Sequence, residues 1–246
     1  MIVKTDSERE GMRAASRVVK AALDAAEKFV KPGVTTLEID AIVEEVIRSY
    51  GAIPSSKGFE GYPNASCISV NEVVVHGIPS LRTVKDGDIV SVDITALLNG
   101  YQGDAARTFA VGNVAAEDLK LINAAEAAFF AGLEYAKAGN RVGDISSAVQ
   151  LYSELNGYGV VRALTGHGIG HKMHEPPEVP NYGKKHTGAP LKNGMCICIE
   201  PMITRGDWRV YVERDGWTVR SADRSNAAHY ENTVIVTDGE PEILTL

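Results

Sequence analysis

The spacing of apolar positions divides the chain first into helices. Over residues 7–30, Met12, Val18, Val19, Ala22 and Ala26 recur at helical period, and Ser7 with Glu10 has capping-box spacing. Lys31-Pro32-Gly33 closes this segment. A second helix, capped by Thr35 or Thr36, runs through Leu37, Ile39, Ile42, Val43, Val46 and Ile47 and stops at Gly51. A loop rich in Gly, Pro and Ser follows. Strands are predicted near 67–76 and 89–97, then helices over about 116–137 and 143–155. The remainder alternates as strands at 195–200, 208–214, 217–220 and 229–236.

The pattern repeats itself. Lys31-x-Gly33 with a helix ending at Gly51 matches Lys137-x-Gly139 with a helix ending at Gly157, an offset of 137 − 31 = 106. KDGDIVSVD at 85–93 matches KNGMCICIE at 192–200, an offset of 192 − 85 = 107. Two matches at nearly one offset predict two similar α+β halves, about 7–112 and 113–246, within a single domain over 1–246. The second match sets Asp93 against Glu200, so each half ends an apolar strand with a carboxylate.

Those carboxylates are the first candidate chemistry. Asn99-Gly100 is a strong two-residue hairpin signal. With Leu98 opposite Tyr101, Thr95 faces Asp104, and Asp93 lies on the same face about 7–8 Å away along the diagonal. Asp93 interrupts Ile89, Val90, Val92 and Ile94, where an unpaired charge would be costly. A metal ion would resolve that conflict, as would a partner such as Arg107, or exposure to solvent. Glu200, after Met195-Cys-Ile-Cys-Ile, and Glu231, before Asn-Thr-Val-Ile-Val, repeat the puzzle. Segment 166–175, GHGIGHKMHE, adds His167, His171 and His174, three of the six histidines. It lacks HExxH and nearby cysteines, which argues against a separate zinc site. The glycines beside His167 suggest close backbone approach to a ligand.

Composition narrows the class. No apolar run approaches the roughly 20 residues that span a bilayer, and the first residues lack the apolar core of a secretory signal. Cys67, Cys196 and Cys198 are an odd count without CxxC spacing, which points to a reducing cytoplasm. The formal net charge is −7, with no basic block longer than Lys184-Lys185, so neither DNA nor an anionic membrane is expected as a main partner.

NEVVVHGIP, DIVSVDITALLNGYQGDAARTF, TGHGIGHKMHEPP, IEPM and DGWTV…DRSNAAHYE stand in the order found in type I methionine aminopeptidases, and the chain resembles that family over nearly its whole length. The resemblance implies the pita-bread fold: two pseudosymmetric halves with helices outside a curved antiparallel sheet, here a single catalytic metallopeptidase domain of the short, bacterial-like form. It implies two divalent metal ions (Co, Mn, Fe or Zn) held by Asp93, Asp104, His167, Glu200 and Glu231. A metal-bridging hydroxide would then remove the initiator methionine ahead of a small second residue, with Glu200 as proton shuttle and His76 and His174 as substrate-contacting catalytic residues. Phe59, Tyr62, Cys67, Met173 and Trp217 would line the methionine pocket, with His76 at its edge. The implied partners are nascent polypeptide N-termini, met in the cytoplasm or at the ribosome, and a monomer is expected. Three residues depart from the family pattern: Met173 for an aromatic, His229 for a glutamine and Asn232 for a histidine.

Overall fold

The computed structural model describes residues 1–246. Its four long helices are α1 (Asp6–Phe29), α2 (Thr36–Ser49), α3 (Ala116–Leu133) and α4 (Val142–Leu155). The capping box of α1 is Thr5 with Glu8, not Ser7 with Glu10. Glu8 N–H donates to Thr5 Oγ1 at 3.2 Å, and Thr5 N–H donates to Glu8 Oε2 at 3.0 Å. Both pairs have the required spacing. Tertiary pairing decides between them, because Ile2 bridges Met195 and Val3 N–H donates to Gly194 O, holding the chain extended until Lys4. Thr5→Ala is expected to cost about 1 kcal/mol, read from urea unfolding midpoints; no shift would mean the cap is already solvated in the fold.

At α2 the cap is Thr35, paired with Glu38, while Thr36 donates its hydroxyl to Ser80 O. Helix α3 stops at Leu133, short of the expected 137. There Ala138 N–H is taken by Thr237 O and Lys137 bridges Thr237, so the chain leaves the helix to join the second half.

One nine-stranded sheet runs through both halves. In order it contains Ile53–Pro54, Ile89–Leu98, Tyr101–Ala110, Glu231–Ile235, Cys196–Ile199, Thr165–Gly168 and Glu175–Pro180, with Ser66–Val70 paired to Ile89–Leu98 and Glu242–Ile243 to Glu231–Ile235. Every pairing is antiparallel. Helices α1 and α2 cover the first half, where Val18, Val19, Ile39 and Val43 pack against Val90, Val92 and Ile94. Helices α3 and α4 cover the second, where Leu121, Phe129, Ile145 and Val149 pack against Ile197, Ile199 and Val234. The architecture is α+β.

The hairpin at Asn99-Gly100 has the predicted register, with Leu98 opposite Tyr101 and Thr95 opposite Asp104. Both turn residues take positive φ, 50° and 84°, as a primed turn requires. Within Ile89–Leu98 the apolar Val90, Val92, Ile94 and Ala96 face the helices. Asp93 and Thr95 line a cavity on the other side. The near-continuous apolar run is therefore an alternating strand whose polar face is itself enclosed.

Candidate metal centre

Strand register assembles the site. Cys67, Asp93, Ala106 and Glu231 form one row across four neighbouring strands, and Asp104 stands two residues from Ala106 on the same face. Glu200 follows the strand Cys196–Ile199, next to Glu231 in the sheet. His167 comes from Thr165–Gly168, beyond it. A Cβ at Gly166 would meet Cys198 O at 2.4 Å, and one at Gly168 would meet Pro176 O at the same distance. These glycines let strands pack closely around His167.

A cavity of about 640 Å³ holds all twelve residues singled out from the sequence: Phe59, Tyr62, Cys67, His76, Asp93, Asp104, His167, Met173, His174, Glu200, Trp217 and Glu231. His171 is elsewhere, its ring on Gly100 O. His167 Nε2 lies 3.6 Å from Asp104 Oδ2 and 3.6 Å from Glu200 Oε1. Asp104, Glu200 and Glu231 are buried, while Asp93 keeps part of its surface open to the cavity. Arg107 does not pair with Asp93. It points to the other face, donating to Glu231 O and Asn232 Oδ1.

Four acids crowded this closely cannot all stay ionised unaided. Burial, reinforced by the neighbouring carboxylates, pushes Asp104, Glu200 and Glu231 well above the usual carboxyl range. Burial raises Asp93 to about 7, with His167 opposing. Asp104 Oδ1 and Glu231 Oε1 have no hydrogen-bond partner. Orphaned, buried carboxylate oxygens beside one imidazole are the donor set that a borderline or hard divalent cation takes up, so the residues present fit a metal centre. Asp104, His167 and Glu231 offer atoms within 4.8 Å of one another, as does Cys198. Cys198 is fully buried with its thiol facing Thr233 Oγ1, and burial among carboxylates keeps it protonated. It backs the acids without offering a thiolate.

A carboxyl whose folded pKa stands above its unfolded value binds extra protons in the fold. Its contribution to stability therefore falls as pH rises, for Asp93 from its ordinary 3.8 through about 7. Metal-stripped protein is expected to lose melting temperature from pH 4 to 7, and added divalent cation to reverse the loss at pH 7. Calorimetric melts with and without metal measure this, and a flat profile would mean the acids are solvated or paired.

Part of the cavity wall is apolar and aromatic. Trp217 meets the Tyr62 ring edge-on at 5.1 Å and the His76 ring at 6.3 Å. Tyr62 is fixed by donating to Ser66 O and Gly77 O. His174 lies between Phe59, at 5.4 Å, and His167, at 4.4 Å. Burial holds His76 and His174 down at about 4, so both rings are neutral near pH 7.

The model of metallopeptidase family M24 matches residues 10–238. The chain belongs to this family. Within M24, it is 53% identical to a methionine aminopeptidase of Clostridium acetobutylicum over 100% of this chain and 99% of that one. The crystal structure of methionine aminopeptidase from Rickettsia prowazekii superposes with a TM-score of 0.98 at 41% identity, covering 100% of both chains. This likeness establishes the pita-bread fold. A prolidase from Pyrococcus furiosus, another similar structure, matches at 26% identity and a TM-score of 0.79, with only 65% of its chain covered. The M24 chain thus shares its full extent with the methionine aminopeptidases.

Sequence reasoning placed the acids but passed over two features of the walls. Glu178 pairs with His167 across strands and lines the cavity; the Pro-rich segment 175–180 carries no alternation that marks it. His229, noted only as a departure, has its ring on the cavity.

Proposed function

We propose that this M24 chain is a type I methionine aminopeptidase that removes the N-terminal methionine of nascent polypeptides. One observation carries the residue roles: four carboxylates and an imidazole, brought together from separate parts of the chain, line one cavity that is also walled by aromatic and apolar side chains. Asp104 and Glu231, near the middle of the cluster, would hold both of two divalent cations, Asp93 one of them, and His167 with Glu200 the other. Such cations, when bound, supply Lewis-acid activation of water and of the scissile carbonyl.

The chain's own groups do the rest. Glu200, at the edge of the carboxylate row, accepts the proton of the attacking water and returns it to the leaving amine. His174 and His76, both neutral, donate hydrogen bonds to the substrate amide as charge develops. Tyr62, Cys67, Trp217, Phe59 and Met173 surround the methionine side chain, whose thioether suits aromatic and sulfur contacts. The free α-amino group lies toward the acids, which limits cleavage to the first residue. Small second residues, action in the cytoplasm on chains leaving the ribosome, and a monomeric enzyme complete the reading. No helix is long and apolar enough to cross a membrane.

Methionine release from Met-Ala-Ser, compared with cleavage of an Xaa-Pro peptide in the presence of Mn or Co, tests this. Met-Ala-Ser is expected to be the faster substrate. Preference for Xaa-Pro would reassign the chain to the prolidase branch.

A further inference from the structure

Glu200 stands between two imidazoles, and only one belongs to the donor set above. Its Oε1 lies 3.6 Å from His167 Nε2, and its Oε2 lies 3.9 Å from His229 Nε2. The same His229 nitrogen is 3.9 Å from Glu231 Oε2. Two donors sharing a first-row cation, each about 2.1 Å from it, stand about 3–4 Å apart. The spacing around His229 therefore falls in the range already met around His167.

The ring is held in place. Its strand, Ala227–His229, pairs His229 with Met202. Thr108, on the Asp104 strand, accepts a hydrogen bond from His229 N–H at 3.0 Å and donates its hydroxyl to His229 O at 2.9 Å. The side chain is only 2% exposed, faces the cavity, and has no hydrogen-bond partner at Nδ1 or Nε2. Buried polar atoms in folded proteins are nearly always satisfied. Nε2 faces two carboxylates already argued to bind cations, and neutral imidazole is the commonest metal ligand among side chains.

We infer that His229 is a further nitrogen donor to the metal pair, so that this centre holds two imidazoles flanking Glu200. The inference rests on the dinuclear reading above. A second imidazole makes the donor set softer, favouring Co, Fe or Zn over Mn.

Cobalt-loaded wild-type protein, His229→Gln and Asp104→Asn are compared by X-ray absorption at the cobalt edge and by equilibrium titration with Co and Mn. The wild type should show two imidazoles per pair and His229→Gln one. Cobalt affinity should fall about tenfold or more in that variant, and manganese affinity less. One imidazole in the wild type, or affinities within twofold in His229→Gln, would overturn the inference. If Asp104→Asn then loses cobalt, the dinuclear reading survives alone; a wild type that takes up no cobalt would sink both. The wild-type spectrum needs no variant to fold.

Discussion

Glu200→Gln is expected to lower kcat for Met-Ala-Ser by about a thousandfold, within the range that a positioned general base contributes. The carboxamide keeps an oxygen donor and the side-chain volume, so the fold and part of the metal affinity should persist. What is lost is the group that takes the proton from the attacking water. Stability should not suffer. In the metal-free protein Glu200 is pushed upward by burial first and then by Glu231, Asp104 and Asp93, and a neutral isostere relieves both. Coupled detection of released methionine, with melts of stripped and loaded protein, separates the two effects. Turnover within tenfold of wild type would remove Glu200 from the proton path.

Arg107→Leu is expected to destabilise the protein by about 3 kcal/mol, the scale of removing a charged donor shared by several acceptors. The guanidinium donates to Ala106 O, Glu231 O, Asn232 Oδ1 and Thr245 O, and lies 4.2 Å from the centre of the Tyr230 ring. It joins the Asp104 strand, the Glu231 strand and the C-terminal segment from behind the site. Leucine would leave those acceptors without their donor. Lysine should recover little, because one ammonium cannot reproduce a planar fork directed at several acceptors. Urea unfolding measures the loss. A cost below about 1 kcal/mol would place Arg107 among ordinary surface cations.

Much of the site was legible because β structure has a short, exact period. One turn signal, Asn99-Gly100, set the register of a hairpin of ten residue pairs, and the register placed Asp93 and Asp104 on one face. The match of 85–93 with 192–200 sets Asp93 against Glu200 from the sequence alone. Arg107, one alternative to a metal as the partner of Asp93, sits at an odd position of its strand like Ala105, with its side chain on the opposite face from Asp104. The Thr5 cap was missed because two equal capping signals stood two residues apart. The difference lay in distant contacts at Met195 and Gly194.

The amino-acid sequence by itself determined the helices, the hairpin register and the identities of the acids and histidines, since each depends on spacing within a few residues. Only the tertiary structure decided that Arg107 braces the Glu231 strand from behind, that the glycines near His167 serve strand packing, and that the His229 ring faces the cavity with neither nitrogen paired. Those outcomes depend on which strands become neighbours and on what burial leaves unsatisfied, and spacing along a single chain carries neither.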